Sequence, residues 1–403
     1  MEDFNYLQDL IIDRGLCTGC GTCVGVCPLQ SIKMDYVYNE LEPKLIGECN
    51  SCGICYNVCP GADVNIPELE YSLFGKNRSN DKIDLGVFRK SLKGFANDIG
   101  IRKAGASGGI ISALLIHGLK KGILDCALVA GFKGSEPWRT EAKIARNVSE
   151  ILNASRSKQA MVPVNSLLTQ AIQMGFSKIA VVGLPCHIHG IRKMQHLKLP
   201  ASLVKKIKLT LGLFCAGEFY FEGTKHIIQE IGKVEDFKRI RKIDYRGGDW
   251  PTYFTITLDD GREIFLDRHF CSLHMLIGVF KRDRCEVCID WSNELADLAG
   301  GDYWDVSEAV GSHLGTSMCL VRSEQGEKII KSAMDAKILT MDTLDHFKII
   351  SNFGFELKKH GAMFRLIQRR RFGIPSPNFH YENSYDPIIR EFQISPSTGS
   401  KFT

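Results

Sequence analysis

The apolar and polar positions of this chain change texture twice along its length. Residues 1–70 carry cysteine-rich runs that leave few apolar residues for any other core. The stretch "IPELEYSLFGKNRSNDKID" shows little periodicity and reads as a polar connector, with a linker at 71–84. From about residue 85 the pattern becomes regular. "GGIISALLIHGLKKG" places apolar residues at helical spacing behind a glycine-rich entry, with Gly122 as the stop. "LDCALVAGF" then reads as a buried strand, and "SKIAVVGLPC" and "KIKLTLGLFC" as two further strand-forming runs, each ending on a cysteine. "TYFTITLDDGREIFL" reads as a hairpin turning at Asp260-Gly261. The chain closes with helical, basic segments over 351–403, whose polar tail from about 375 is expected to be loosely ordered. Strands alternating with helices predict a body of α/β class, in two parts at 85–175 and 176–350, with an antiparallel hairpin portion. With the small domain in front of it, the fold class is α+β / α/β.

Composition narrows the function classes. A chain of 403 residues has room for two or three domains, and 44% hydrophobic with 24% charged residues is ordinary for a water-soluble protein. The net charge of +5 suits an anionic cofactor or an acidic protein partner and is too weak to point to nucleic acid. No apolar run approaches the roughly 20 residues that span a bilayer, and "MEDFNYLQDLIID" lacks the features of a signal peptide. The expected location is therefore cytoplasmic, where thiols stay reduced. Fifteen cysteines in such a compartment point to metal rather than to disulfides.

Eight of them form two near-copies. Cys17, Cys20, Cys23 and Cys27-Pro28 have the spacing C-x2-C-x2-C-x3-C-P, and Cys49, Cys52, Cys55 and Cys59-Pro60 repeat it. This is the pattern of a bacterial-type ferredoxin, in which the fourth cysteine of each run crosses to the other [4Fe-4S] cluster. Cys17, Cys20, Cys23 and Cys59 are thus expected to hold one cluster, and Cys49, Cys52, Cys55 and Cys27 the second. Thiolates are soft ligands suited to iron–sulfur clusters, and Gly19, Gly21 and Gly53 keep the loops tight. C-x2-C pairs also bind zinc, but four cysteines and a proline in each run make a poor zinc pattern.

Of the other seven, Cys186, Cys215 and the pair Cys285 and Cys288 sit where a third cluster could be built. The first two close apolar strands, at the edge of a sheet that faces the usual binding crevice. Taken singly, each also reads as a small buried core residue. Cys126, Cys271 and Cys319 read as ordinary thiols. "KAGASGG", residues 103–109, precedes a helix and offers backbone N–H groups to an anion, although a plain helix cap explains it equally well.

Taken together, "KAGASGG", "SRSKQ", "GLPCHIHGIRK", "LGLFC", "DYRGG" and "CEVCIDWSNELADLAGGDYW" resemble the beta subunit of coenzyme F420 hydrogenases and dehydrogenases over roughly residues 85–350. The resemblance implies FAD in the α/β body, with coenzyme F420 meeting its ring, and a [4Fe-4S] cluster on Cys186, Cys215, Cys285 and Cys288. It puts the flavin contacts on Ser107, Gly108 and Gly109, on Lys158, and around Gly183, Leu184 and Pro185. Two positions depart from the family pattern. His187 stands where glutamine is common, and Gln159 where an aromatic is common. Lys103, Arg246 and the run "QRRRF" (368–372) are candidates for the coenzyme's phosphate and carboxylates, the last also reading as a solvated helix face. Asp297 and Asp302 read as turn-fixing residues. His187 and His189 are not needed as acids, because hydride transfer to a flavin requires little acid help.

The expected activity is hydride exchange between F420 and FAD. Single electrons would pass through the clusters to or from a redox partner of ferredoxin, hydrogenase, dehydrogenase or heterodisulfide-reductase type. Two alternatives stand beside it. One is a ferredoxin-dependent flavin reductase of a small organic molecule, as in the 7-hydroxymethyl chlorophyll a reductase of the same family. The other is an electron-transfer subunit without catalysis.

Overall fold

The structure is a computed structural model that describes residues 3–79, 84–276, 279–304, 314–351 and 355–381. Its thirteen strands among these residues form three sheets. β1 (Ile32–Val37) and β2 (Glu40–Leu45) make a hairpin between the two cysteine runs. The body is an eight-stranded sheet of β3 (Lys90–Ala96), β4 (Cys126–Phe132), β5 (Thr140–Ala145), β6 (Ile179–Gly183), β7 (Ile207–Leu213), β11 (Leu298–Tyr303), β12 (Thr316–Val321) and β13 (Leu339–Thr343). Its order is β13-β3-β12-β11-β7-β6-β4-β5. The centre, β4-β6-β7-β11, is parallel and the flanking pairs are antiparallel. A third sheet, β8 (Ile240–Gly247), β9 (Tyr253–Leu258) and β10 (Glu263–Asp267), is antiparallel and contains the expected hairpin, with Gly261 at φ +82.

The parallel centre is buried on both faces, so its strands read as continuous apolar runs rather than alternating ones. Leu128, Ala180, Leu209 and Leu298 are inaccessible or nearly so. Helix Ile110–Lys120 packs its apolar face on this sheet through Leu114 and Ile116. Arg192 and Asp297 fix the strand ends nearby. Arg192 donates to the Thr210 hydroxyl (2.8 Å) and the Leu295 carbonyl (2.7 Å), and Asp297 accepts from the Thr210 backbone N–H (2.8 Å).

Two expectations need correction, and a third falls outside the described residues. The segment read as a connector contains a helix, Ile66–Phe74, capped by Asn65 at its start and by Gly75 in the left-handed region at its end. Its Ile66 and Leu69 pack on the body beside Ile188 and Leu295. Second, Cys186 does not end a strand. β6 stops at Gly183, and Pro185 opens helix Pro185–Leu197, which places Cys186 in its first turn. Proline is favoured there because that turn needs no intrahelical N–H. Third, the tail beyond residue 381 lies outside the described residues.

The cysteine-rich segment is seated directly on the body. A Cβ at Gly25 would lie 1.9 Å from the Asn165 carbonyl oxygen, and one at Gly190 would lie 2.2 Å from Thr22 Oγ1. Asn165 bridges the two sides, donating to Thr22 Oγ1 (2.9 Å) and to the His187 carbonyl (2.8 Å). Arg284 donates to the Gly61 carbonyl at 3.2 Å, and Lys193 to the Cys59 carbonyl at 2.7 Å.

Candidate functional site

The first four-cysteine group forms where two short helices converge. Cys17 and Cys20 lie on the loop before helix Thr22–Val26, Cys23 within it, and Cys59 just after helix Ile54–Asn57. All four line one small cavity. Gly19 and Gly21 adopt φ of +69 and +77, which lets the loop fold back on the thiols. The Gly19 N–H donates to Cys17 Sγ (3.4 Å) and the Gly61 N–H to Cys59 Sγ (3.3 Å). Burial pushes the Cys23 thiol well up and Cys59 to about 12, and the neighbouring thiols push in the same direction.

The second group faces outward. Cys55 is raised to about 11 by burial, with Cys52, Cys49 and Cys27 adding to the shift, and Cys49 and Cys52 are exposed. Cys59 thus lies with Cys17, Cys20 and Cys23 around one cavity, and Cys27 stands with Cys49 and Cys52 among the neighbours of Cys55.

The third group assembles from three separate places in the sequence. The Cys186 thiol is pushed well up, by burial first and then by Cys20, Cys215, Cys285 and Cys288. Cys215 follows β7, and Cys285 lies in helix Asp283–Glu286, where the Glu218 N–H donates to its Sγ at 3.4 Å. Burial is also what raises the thiols of Cys215 and Cys285 most, and closely set thiols of this kind are ligands suited to a soft metal. Among the described residues, no three ligating side chains converge on a point suited to a single ion. Cys126 and Cys319 are buried in strands and Cys271 in a helix, as ordinary thiols.

A cavity of about 510 Å3 opens at the carboxyl ends of the parallel strands, where α/β sheets bind ligands. Ser107, Gly109, Lys158, Gly183, Leu184 and Arg246 line it. Gly108 and Pro185 do not. Gly108 is pressed against β3 and β12, where a Cβ would lie 2.5 Å from the Gly94 carbonyl oxygen, and Pro185 is buried as a helix opener. Lys103 and Arg369 to Arg371 also lie away from the lining. Cys215 belongs both to the wall of this cavity and to the third cysteine group.

Charged groups stand in this wall, and two of its buried polar atoms, Arg268 Nε and Glu218 Oε2, are unbonded. Burial lowers the Lys158 ammonium to about 7, although Asp244 acts the other way, and its protons are shared among the carbonyls of Ala154, Ser155 and Arg156. Arg246 pairs with Asp302, and Arg268 stands 4.6 Å above the Trp304 ring, its Nε buried and unbonded. Glu218 also lines the cavity, with Oε2 unbonded. Burial pushes its carboxyl well up despite Arg282 and Lys358. Sequence reading missed Glu218, Arg268 and Trp304, since none falls in a spacing pattern and only the fold brings them to one wall. Buried, unbonded polar atoms beside apolar strand ends fit a large, partly polar, anionic ligand.

His187 also lines this wall. Its Nε2–H donates to the Val162 carbonyl (2.7 Å), and its Nδ1 accepts from the Leu184 N–H (3.1 Å). Burial lowers it to about 4 despite the Val162 bond, so the ring is neutral and its departure from the family pattern serves the backbone.

Comparison with known proteins matches these features in order. Residues 91–169 match the N-terminal model, and residues 176–346 the C-terminal model, of the coenzyme F420 hydrogenase/dehydrogenase beta subunit. The chain belongs to this family. Residues 9–60 match a 4Fe-4S dicluster domain. The coenzyme F420-dependent sulfite reductase of Methanocaldococcus jannaschii is 31% identical over 347 residues, 83% of this chain, and the chain spans 48% of that relative's length. The coenzyme F420 hydrogenase subunit beta of Methanococcus voltae is 28% identical over 72% of this chain and 99% of its own. An F(420)H(2) dehydrogenase subunit of Methanosarcina mazei is 25% identical over 87% of this chain and 91% of its own. A chain of the F420-reducing [NiFe] hydrogenase complex from Methanosarcina barkeri has the same fold, with a TM-score of 0.58 and 23% identity over 74% of this chain and 98% of that one. The chain is thus a mixed α/β member of an oxidoreductase family that carries an iron–sulfur domain. Among the described residues no helix is long and apolar enough to cross a membrane.

Proposed function

We propose that this chain exchanges a hydride between coenzyme F420 and an FAD held in the 510 Å3 cavity, and passes single electrons through three [4Fe-4S] clusters to or from a partner protein. The observation that carries this reading is the double membership of Cys215. It stands in the cavity wall and in the third cysteine group, Cys186 of that group faces Cys20 of the first, and the second group reaches the surface at Cys49 and Cys52. A flavin supplies the chemistry such an arrangement needs, taking electrons as a pair and giving them up singly.

The chain's own residues have separable tasks in this reading. Lys158, Arg246 and Arg268 offer positive charge to the anionic parts of the ligands, and Ser107 and Gly109 offer polar and backbone contact at the start of helix Ile110–Lys120. Apolar wall residues such as Val129 and Leu213 exclude water from the reacting faces. The exposed edge at Cys49 and Cys52 is where a one-electron carrier would dock. The test is anaerobic: reduced F420 is added to purified protein with a viologen acceptor, and iron and flavin are counted on the same sample. The reading expects F420 oxidation, flavin, and about twelve irons from three four-iron clusters. Iron without flavin would leave only an electron-transfer subunit.

A further inference from the structure

Helix Phe355–Arg371 lies beyond residue 346, where the match to the family ends, yet it reaches the third cysteine group. Lys358, near its start, turns its Nζ inward and donates to the backbone carbonyls of Cys215 and Asp290 (the latter 3.3 Å). Among the described residues no carboxylate oxygen forms an ion pair with it. The Asp290 carboxylate is turned to His189 (2.9 Å) and to the Glu294 N–H (3.0 Å). The next helical residue anchors this end of the helix: Lys359 pairs with Glu294 and donates to the Asp84 carbonyl at 3.0 Å.

We infer that Lys358 is a redox-tuning residue: its ammonium is the counter-charge of the cluster on Cys186, Cys215, Cys285 and Cys288, and it raises that cluster's tendency to accept an electron. The inference rests on the presence of the third cluster proposed above. One electron entering the cluster adds one unit of negative charge, with no atom transferred. A cation bonded to the backbone of a cluster ligand favours the reduced form, by an interaction that falls off as the inverse of distance. The C-terminal helix thereby makes the third cluster a ready acceptor beside the cavity, a role that no cysteine motif reveals.

The experiment is an anaerobic redox titration of the loaded full-length protein, followed by electron paramagnetic resonance, for wild type, Lys358→Met and Lys358→Arg. In Lys358→Met the reduced-to-oxidised ratio of the third cluster at the wild-type midpoint should fall about tenfold, which is 59 mV for a one-electron couple. The other two clusters should stay where they were, and Lys358→Arg should stay near wild type. Lys358→Gln, which is neutral but can still donate to the two carbonyls, carries the same expectation as Lys358→Met and answers if the latter fails to load. An unmoved third cluster in the neutral variants, or an equal shift in Lys358→Arg, overturns the inference alone. A wild-type iron content near eight overturns the third cluster, and the inference with it.

Discussion

Cys186 of the body faces Cys20 of the ferredoxin segment closely enough that a charge on the second raises the pKa of the first. This proximity joins two cysteine groups that the sequence keeps about 165 positions apart, and it exists because Gly190 presents no side chain where the two surfaces meet. Gly190, one helical turn beyond Cys186, rests on Thr22, two residues beyond Cys20.

Gly190→Ala should therefore open this boundary. Its Cβ would lie 2.2 Å from Thr22 Oγ1, and Thr22 is tied to Asn165 and cannot rotate away freely. Overpacking of this kind costs about 1–3 kcal/mol. Chemical denaturation should show that loss, with slower transfer between the clusters, and adding Thr22→Ala should recover part of it. Equal stability in Gly190→Ala would mean that the two surfaces are not in contact.

The neutral ring of His187 sets a pH dependence. Its folded pKa of about 4 lies below the unfolded value of 6.5, so its contribution is complete above 6.5 and is lost as pH falls toward 4. At one pKa unit per 1.36 kcal/mol, the loss is about 3 kcal/mol. Glutamine can donate to Val162 and accept from Leu184 as this ring does. His187→Gln should keep stability at neutral pH and remove the loss between 6.5 and 4, whereas His187→Leu should lose about 1–3 kcal/mol at every pH by stranding both backbone groups. Thermal unfolding across that range decides it.

Lys158 should make ligand binding pH-dependent in the other direction. A lysine held to about 7 by burial gains a proton when an anionic group binds beside it. Flavin affinity should then weaken as pH rises above 7, with proton uptake on binding, and Lys158→Met should bind more weakly at pH 7 and lose the pH dependence. Calorimetry in buffers of different ionisation enthalpy measures the uptake, and a pH-independent affinity in wild type would place Lys158 away from the ligand's charge.

The eight ferredoxin cysteines are legible in the sequence because a cluster loop is local. Three of each cluster's four ligands lie within seven residues of one another, and the repeated spacing points to the fourth in the other run. The parallel strands are legible for a similar reason, since burial on both faces writes a continuous apolar run. Cys186 is easily misplaced because "SKIAVVGLPC" stays apolar past the strand's end, although Pro185 followed by "CHIHGIRKM" carries the signal of a helix start. Helix Ile66–Phe74 hides because only two of its apolar residues, Ile66 and Leu69, are buried and its polar face dominates the text. Glu218, Arg268 and Lys358 cannot be read at all. Each acts through neighbours brought from far along the chain.

Replacing Cys285 by serine tests the relay from cavity to clusters most directly. The substitution exchanges a soft ligand for a hard one in the third group and leaves the polar and basic lining of the cavity intact. Stopped-flow spectra with reduced F420 should show flavin bleaching in a single turnover at close to the wild-type rate, while steady electron delivery to the ferredoxin clusters collapses. A steady-state rate in Cys285→Ser equal to that of wild type would contradict the account and return Cys285 to the ordinary thiols of the core.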